Sequence, residues 1–351
     1  MSVAVLAWPS LPRMNTFKSA SRLAILVALL SAPGYATTPP KPTVAGVVTT
    51  HGRLQVTGNR IVGKDGQPVS LAGNSFFWSQ AESPDWTRAQ SQYYNSSTVA
   101  WLVKDWKTAI VRVALGVTPA GYLEHPEADT ARICTVIDAA IAADIYVIID
   151  WHDHAAHHHT AAAVGFFQEM ARRYGKFPHV IYEIYNEPMA VSWPQDVKPY
   201  ATEVIAAIRA IDPDNLIVVG SPHWAQDVDV AAADPIKDVN VAYSLHFYAG
   251  THKQELRDKA VKAMQLGAAL FVTEWGTVNA DGNGPIAETS LREWLAFLRQ
   301  HQLSHCNWVI SAKNETSSIL QPAAAATGGW TDTDLTPSGR YVRQLIRAWN
   351  P

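Results

Sequence analysis

The sequence predicts an α/β fold, a single (β/α)8 TIM barrel with an N-terminal β-hairpin. Eight short apolar segments alternate with helical segments along the 351 residues. Strands that are apolar on both faces and separated by helices form a parallel sheet covered on its outside. Eight such units fit a closed barrel better than an open doubly wound sheet, and no glycine-rich phosphate loop follows the first strand.

The predicted strands are short runs of β-branched, aromatic and aliphatic residues. They cover residues 70–73, 109–115, 146–150, 180–185, 216–220, 241–245, 270–273 and 305–309. The predicted helices show apolar positions at helical spacing. They cover residues 98–106, 129–143, 162–174, 196–211, 253–266, 287–300 and 338–349. A helix between the fifth and sixth strands is poorly marked.

The sequence of residues 52–68 predicts the N-terminal hairpin, and this hairpin would close the bottom of the barrel. Asn59 and the run K-D-G at 64–66 are residues that favour turns. The later sequence contains no linker rich in serine, threonine or proline. Residues 45–351 are therefore expected to form one domain.

Residues 1–36 have the features of a signal peptide. Lys18 and Arg22 precede an apolar stretch at 23–30 that is too short to span a bilayer, and residues 34–36, Gly-Tyr-Ala, suit cleavage. Export is expected, so that the protein is secreted or periplasmic. A retained membrane anchor is the weaker alternative.

The exported chain is expected to be mildly acidic. Residues 37–44 form a spacer rich in proline and threonine, and translation could start at Met1 or Met14. Cleavage after residue 36 reduces the 28 Lys and Arg to 25, against 31 Asp and Glu, for a net charge of −6. This charge and the lack of basic clusters argue against nucleic acid or membranes as partners. We expect a monomer.

The two cysteines are Cys134, in a predicted helix, and Cys306, in a predicted strand. Both would enter an oxidising compartment. We expect two buried thiols. A disulfide stays open, because the sequence cannot test the Cα separation that a bridge requires.

Two predicted strands are each followed by a glutamate, at the point where the strand stops. The run at 180–188 ends in Asn-Glu-Pro, with Glu187, and the run at 270–276 ends in Thr-Glu-Trp-Gly, with Glu274. Cleavage of a glycosidic bond with retention needs two carboxyl groups about 5 Å apart. One such glutamate alone would more often be a salt-bridged residue at the barrel rim, but two favour a catalytic pair.

Other polar and aromatic residues follow the strands to the same end of the barrel, where such folds place their active sites. Arg112 and Tyr248 could keep Glu274 ionised as the nucleophile, and Glu187 would then hold the proton as acid/base. Asn186 suits the sugar 2-hydroxyl. The remaining candidates at strand ends are His152, His246 and Trp308. Taken singly, Arg112 could pair with a core acid and each histidine could be structural.

Six runs resemble the bacterial endo-β-1,4-glucanases of glycoside hydrolase family 5, clan A. They are I-V-R-V-A-L-G-V (110–117), Y-V-I-I-D-W-H (146–152), V-I-Y-E-I-Y-N-E-P (180–188), S-L-H-F-Y-A-G-T-H (244–252), F-V-T-E-W-G-T (271–277) and G-G-W-T (328–331). The resemblance implies retaining hydrolysis of cellulose and soluble β-glucans through a glycosyl-enzyme, with no cofactor and no metal.

The resemblance also implies a role for each matching residue. Glu187 would be the acid/base and Glu274 the nucleophile. The subsite of cleavage would be lined by Arg112, His152, Asn186, His246 and Tyr248. Trp308, Trp224 and Trp78 would be sugar-stacking platforms, and Lys313 and Glu315 would bind hydroxyls on the glycone side. Two positions depart from the family pattern, Phe77 where many relatives have histidine and Asn314 where an acid is usual.

Three alternatives remain beside the glucanase hypothesis. Within the clan, the enzyme could be a mannanase or a mixed-linkage glucanase. The His-rich tract at 152–159 suggests a zinc-dependent amidohydrolase with His152, His154 and His246 as ligands, but the expected histidine pair on the first strand and the late aspartate are not found. A non-catalytic glucan-binding module would use the aromatics but gives no reason for two carboxylates.

Overall fold

The computed structural model describes residues 46–81 and 89–350. The segments expected to be signal peptide and spacer, 1–36 and 37–44, lie outside the described residues. Within the described ranges, no helix combines the length and the apolar composition needed to cross a bilayer.

Eight parallel strands close into a barrel in the order β10-β3-β4-β5-β6-β7-β8-β9, as the sequence predicts. The strands are β3 Ala72–Phe76, β4 Ile110–Gly116, β5 Tyr146–His152, β6 Val180–Glu183, β7 Ile217–Val219, β8 Val241–Tyr248, β9 Leu270–Gly276 and β10 His305–Ile310. Each connection between successive strands carries helical structure on the outside, which is the (β/α)8 arrangement.

Most of the helices lie close to their predicted positions, and the first, Val47–His51, was not predicted. They are α1 Val47–His51, α2 Ser96–Trp101, α3 Pro126–Ala142, α4 Thr160–Tyr174, α5 Lys198–Arg209, α6 Val228–Ala233, α7 Gln254–Gln265, α8 Glu288–His301 and α9 Pro337–Trp349. Helix α2 continues into a π-helical turn, Leu102–Trp106, and a second π-helical turn, Trp193–Val197, precedes α5. The poorly marked helix between the fifth and sixth barrel strands is α6, which has only six residues.

The first barrel strand lies further along the chain than residues 70–73, the predicted range. It includes Asn74 and Ser75, which are fully buried, although such residues usually indicate a turn. The Asn74 side chain accepts a hydrogen bond from Thr108 at 2.9 Å, and Ser75 Oγ lies 3.5 Å from Nη1 of Arg112. Their partners come from the next strand and the turn before it, which a local pattern cannot indicate.

The predicted hairpin consists of β1 Gln55–Thr57 and β2 Arg60–Val62, paired antiparallel. Leu54 and Ile61 belong to the same buried apolar cluster as side chains that point into the lower barrel, such as Ile110. The hairpin therefore covers the bottom of the barrel, and the site must lie at the other end.

Alternation along the strands separates two kinds of interior. Val111 and Val113 on β4 pack into the apolar layer between barrel and helices, whereas Ile110 points into the barrel. Because successive side chains in a strand point to opposite faces, Arg112 shares the inner face with Ile110, one layer higher. The barrel interior is thus apolar at the bottom and charged above.

Both cysteine predictions are consistent with the structure. Cys134 lies in α3 and Cys306 in β10, and both thiols are free and buried. The open alternative, a disulfide between them, is not formed.

The last helix is fastened to the first barrel strand by the side chain of Asn350. Its Oδ1 accepts from the Ala72 N–H at 3.0 Å, and its Nδ2 donates to the carbonyl oxygens of Ala72 and Lys107 at 2.8 and 2.7 Å. The side chain is buried. These three bonds therefore attach the end of α9 to the start of β3 and to the turn before β4.

We expect Asn350→Ala to lower the free energy of unfolding by about 2–4 kcal/mol, because it removes the side-chain acceptor of the buried Ala72 N–H and two further hydrogen bonds, to the carbonyl oxygens of Ala72 and Lys107. Chemical denaturation measures this loss. Asn59→Ala is the matched control, since Asn59 makes a single bond to the Met264 carbonyl at 2.9 Å in a half-buried turn, and it should cost about 1 kcal/mol or less. Equal losses would contradict the assignment of Asn350 as a fastening residue.

Candidate active site

Two glutamates face each other at the carboxyl ends of β6 and β9. Glu187 lies four residues beyond the end of β6, and Glu274 lies within β9. One carboxylate oxygen from each and one ring nitrogen of His246 all lie within 4.8 Å of one another. The two glutamates singled out in the sequence are therefore neighbours, at a separation close to the one that retaining chemistry uses.

Arg112 lies beneath this pair and is fully buried. Its Nε donates to Glu183 at 2.6 Å and its Nη1 donates to Glu274 at 3.0 Å. Its Nη2 contacts Asp150 at 2.9 Å and Asn186 Oδ1 at 2.5 Å. One guanidinium therefore orients three carboxylates and one amide.

Glu274 accepts hydrogen bonds on both oxygens. Arg112 binds Oε2, and the Tyr248 hydroxyl donates to Oε1 at 2.7 Å. Tyr248 reaches this position because the residue beside it is glycine. A Cβ on Gly276 would lie 2.2 Å from the Tyr248 ring, so the Glu-Trp-Gly sequence is what lets the tyrosine cover the strand end.

Glu187 lies between two histidines. His246 Nδ1 is 3.0 Å from Oε1 of Glu187, and His246 Nε2 is 2.8 Å from the Thr273 hydroxyl. On the other side, His154 Nδ1 lies 3.2 Å from the backbone oxygen of Glu187 and 3.7 Å from Oε2. The carboxyl group of Glu187 is thus directed toward Glu274 by an imidazole on each side.

The pKa values in this cluster depend on the balance between burial and neighbouring charge. Burial raises the pKa of Glu187, but the hydrogen bond and charge of His246 outweigh burial, so that the pKa is lowered. Burial lowers the pKa of His246, but Glu183 and Glu187 outweigh it and raise the pKa to about 9. Burial and the charge of Glu187 raise the pKa of Glu274.

This order differs from the expectation that Glu274 holds the charge and Glu187 the proton. The physical reason is His246, which brings a positive charge to Glu187 that the sequence alone could not locate. Two carboxylates this close interact strongly, so the ionisation of Glu187 disfavours that of Glu274. The lowered pKa of Glu187 and the raised pKa of His246 favour a Glu187 carboxylate beside a protonated imidazole.

Asn186 and His152 have fixed orientations. The amide oxygen of Asn186 faces Arg112, so its Nδ2 points into the site, 3.5 Å from Nε2 of His152. His152 Nδ1 lies 2.7 Å from Oδ2 of Asp150, and burial holds the pKa of His152 well below its usual value. The lowered pKa favours the neutral form of His152.

Trp308 and Trp78 form one aromatic cluster with Phe77 and His152. The Trp308 ring stacks on His152 with centroids 5.3 Å apart, and it contacts Phe77 at 5.4 Å. Trp78 lies 5.3 Å from the His152 ring. Phe77, where many relatives have histidine, thus supports Trp308 by packing. Beyond Trp308, Lys313 and Glu315 form an ion pair.

Trp224 lies on the opposite side of Glu187 and is exposed, with 44% of its surface accessible. It belongs to the left-handed turn Pro222–Ala225, in which His223 and Trp224 have φ of 54° and 57°. Trp224 and Glu187 line the same cavity of about 760 Å³ together with Tyr248 and Lys259. Trp224 therefore shares a cavity with Glu187, apart from the aromatic cluster that contains Trp308 and Trp78.

Sequence reasoning missed three residues that complete the site. Asp150 and Glu183 contact Arg112, and Thr273 donates to Glu183 at 2.6 Å. A signal for all three exists in the sequence, since each is a polar residue inside an otherwise apolar strand, within four residues of a residue already selected. Glu183 shares the inner face of β6 with Ile181.

The ligand set of the zinc alternative is not brought together. Among the described residues, the group of side chains close enough to share a metal ion is Glu187, His246 and Glu274. His152 and His154 are not part of it, and Nδ1 of His152 is engaged by Asp150. Further along the His-rich tract, His159 contacts Asp153 at 2.6 Å.

Comparison with known proteins identifies relatives over most of the chain. Endoglucanase Z of Dickeya dadantii is 47% identical over 338 residues, which cover 96% of this chain and 73% of that protein. An endoglucanase of Clostridium saccharobutylicum is 41% identical over 310 residues, covering 87% of this chain and 67% of that protein.

Solved structures agree with these relatives. A structure from Cytophaga hutchinsonii has a TM-score of 0.83 and 50% identity, and the match covers 87% of this chain and 97% of that one. The catalytic domain of Thermobifida fusca endoglucanase Cel5A (E5) has a TM-score of 0.80 and 31% identity, with 86% and 99% covered. The family model described as Cellulase (glycosyl hydrolase family 5) matches residues 62–314. The chain belongs to glycosyl hydrolase family 5.

Proposed function

We propose that this protein is a retaining endo-β-1,4-glucanase that hydrolyses internal bonds of cellulose and soluble β-glucans without a cofactor. The observation that carries the proposal is the pair of carboxylates within 4.8 Å, each held by different partners. Arg112 and Tyr248 bind Glu274, while His246 and His154 flank Glu187. The endoglucanase relatives support the choice of a β-1,4-glucan as substrate.

In the first step, Glu274 attacks the anomeric carbon while Glu187 protonates the leaving oxygen. Attack forms a glycosyl ester on Glu274 and releases the shortened glucan. Asn186 donates from Nδ2 to the sugar 2-hydroxyl, where a hydrogen bond strengthens as positive charge develops on the ring. In the second step, Glu187 takes a proton from water, which displaces the sugar from Glu274 with a second inversion.

His246 explains how Glu187 can act as the acid although its pKa is lowered, and how Glu274 can act as the nucleophile although its pKa is raised. When Nδ1 passes its proton to Glu187, the negative charge beside Glu274 disappears. Arg112 and Tyr248 then favour the ionised form of Glu274, because the like charge that raised its pKa has been removed. Proton transfer within the His246–Glu187 couple therefore prepares both groups at once.

Binding surfaces on both sides of the bond favour internal cleavage. Trp308 and Lys313 both contact the Phe77 ring, and Trp224 lines the same cavity as Glu187. Aromatic rings pack against the apolar faces of sugars, so a chain could be held on both sides of the carboxylate pair. Trp78 would contribute through the aromatic cluster around His152 rather than as a free platform.

Mannanase and mixed-linkage glucanase activities are the nearest alternatives within the clan. Product analysis on carboxymethyl cellulose, mannan, xylan and barley β-glucan, assayed side by side, tests the substrate assignment. Preferential release of oligosaccharides from mannan would replace the glucanase proposal. We further propose that the enzyme is exported, to the periplasm or the medium, and acts as a monomer on its polysaccharide substrate.

The catalytic pair gives the first activity prediction. Glu187→Gln and Glu274→Gln should each leave a folded protein whose kcat/KM falls by several orders of magnitude, because double displacement fails without either group. With an activated aryl cellobioside, azide should restore activity to both alanine variants. The product should be the β-glycosyl azide with Glu187→Ala and the α-glycosyl azide with Glu274→Ala. Turnover close to wild type in either glutamine variant would remove that carboxylate from the mechanism.

The two tryptophans should respond differently to substrate length. Trp224→Ala and Trp308→Ala should both lower kcat/KM on polymer, since loss of an aromatic contact costs about 1 kcal/mol. Aryl cellobiosides place only an aryl group on the leaving-group side, so Trp224→Ala should spare them far more than Trp308→Ala does.

Phe177→Ala is the control for both tryptophan variants. Phe177 is also exposed, at 39%, and lies in a groove with Tyr174 and Asp138 away from the carboxylate pair. It should change neither activity. Equal losses of Trp224→Ala on polymer and on aryl cellobioside would defeat the leaving-group assignment, and melting temperatures separate catalytic from structural losses.

Exhaustive chelation should leave activity intact, because each proton and charge in the proposed steps is supplied by side chains. The measurement is kcat/KM on carboxymethyl cellulose before and after dialysis against chelator, with zinc added back to a parallel sample. Loss on chelation with recovery on zinc addition would favour the metal-dependent alternative.

A further inference from the structure

Glu183 is connected to Glu274 through Arg112. Its Oε2 accepts from Nε of Arg112 at 2.6 Å and its Oε1 accepts from Nη2 at 3.2 Å. The two bonds hold the guanidinium plane, and the remaining nitrogen, Nη1, donates to Glu274 at 3.0 Å. Glu183 therefore helps to set the position of one oxygen of Glu274.

A second set of hydrogen bonds connects Glu183 to Glu187. The Thr273 hydroxyl donates to Oε1 of Glu183 at 2.6 Å and lies 2.8 Å from Nε2 of His246. Nδ1 of the same ring lies 3.0 Å from Oε1 of Glu187. Glu183, Thr273 and His246 are all buried, so water does not compete for these bonds.

The chemistry of the hydroxyl gives this chain of bonds a direction. Burial raises the pKa of Glu183, but Arg112 and His246 outweigh it and lower the pKa to about 2, so the carboxylate only accepts. Thr273 has a single hydroxyl proton, which it donates to Glu183, and it must accept from His246. Nε2 therefore carries a hydrogen, and Nδ1 is the nitrogen that exchanges a proton with Glu187.

We propose that Glu183 is a positioning residue for both catalytic carboxylates, through Arg112 for Glu274 and through Thr273 and His246 for Glu187. The proposal rests on the proposed function. His246 first supplies a proton from Nδ1 to Glu187. As the glycosidic C–O bond breaks, Glu187 gives this proton to the leaving oxygen. In the second step the proton lost by water returns through Glu187 to Nδ1. The charged groups around Glu183 are Arg112 on β4, Asp150 on β5, His246 on β8 and Glu274 on β9.

Thr273→Val separates the two connections, because it removes the hydroxyl and leaves the Glu183–Arg112 pair. Without the hydroxyl acceptor, Nε2 faces only the Glu183 oxygen at 3.6 Å. The charged imidazole is then less favoured, so the alkaline limb of the pH profile of kcat/KM should move down by about one pH unit. Phenyl cellobioside, which needs acid assistance, should lose about tenfold more activity than dinitrophenyl cellobioside. Thr273→Ser, which keeps the hydroxyl, should restore the position of the limb.

Glu183→Gln should affect both connections. It removes the charge that raises the pKa of His246, so the alkaline limb should move in the same direction as in Thr273→Val. It also frees the guanidinium of Arg112, so dinitrophenyl cellobioside should lose activity as well. If Glu183 and Thr273 were purely structural, their variants would be less stable, the alkaline limb would not move, and activity would fall equally on both substrates. That result in Thr273→Val would overturn the proposal.

Tyr182→Phe is the matched control. Tyr182 precedes Glu183 on β6, but its side chain packs outside the barrel and donates to Asp212 at 2.8 Å. The variant removes a buried hydroxyl from the same strand, so it should lower the melting temperature without moving the alkaline limb. A shifted limb in Tyr182→Phe would assign the effect to strand packing and would count against Glu183.

The tautomer of His246 can be read without any substrate, which separates this proposal from the proposed function. Nitrogen-15 NMR of histidine-labelled protein, with the signal assigned through His246→Asn, should show Nε2 protonated across the titration while Nδ1 loses its proton. In Thr273→Val this preference should be lost. A neutral ring protonated at Nδ1 in the wild type would overturn the proposal even if the enzyme is a glucanase, and an inactive wild type would refute only the glucanase assignment.

Discussion

The buried charge of Arg112 is the constraint on which the rest of the site depends. A guanidinium without exposed surface must have its charge balanced and its N–H groups bonded, since an uncompensated buried charge costs several kcal/mol. Asp150 on β5, Glu183 on β6 and Glu274 on β9 provide that balance. Strands that are distant in sequence must therefore adopt one register around the barrel, and this register also defines the geometry of the two candidate catalytic carboxylates.

The same alternation that builds the core places these charges. Ile110 and Arg112 share the inner face of β4, as Ile181 and Glu183 share that of β6. A shift of one residue would send the charged groups into the apolar layer against the helices and the valines into the site. Folding and function are therefore coupled, because the hydrophobic pattern that closes the barrel is what directs the polar layer to its open end.

The pattern of apolar runs was enough to predict the barrel, its hairpin and the approach of Glu187 to Glu274, because strand ends in a parallel barrel meet at one face. It was not enough to predict that the pKa of Glu187 is lowered while that of Glu274 is raised. These shifts depend on the distance from His246 to Glu187 and on burial, which are consequences of packing across β6, β8 and β9. Glu183 was missed for a related reason: an acid in an apolar strand indicates a buried charge, but packing alone shows that its partner is Arg112.

The turn that carries Trp224 shows how the binding surface and the chemistry share one piece of backbone. Left-handed conformations cost a residue with a side chain about 1–3 kcal/mol and persist only where surrounding contacts enforce them. Here the N–H groups of His223 and Trp224 donate to the carbonyl oxygens of Met189 and Pro188 at 2.9 and 2.8 Å. Those carbonyls directly follow Glu187 in the chain. A sugar on the proposed Trp224 platform would contact a turn anchored to the segment that positions Glu187. The proposed binding on the leaving-group side and the orientation of the proposed proton donor would then depend on the same hydrogen bonds.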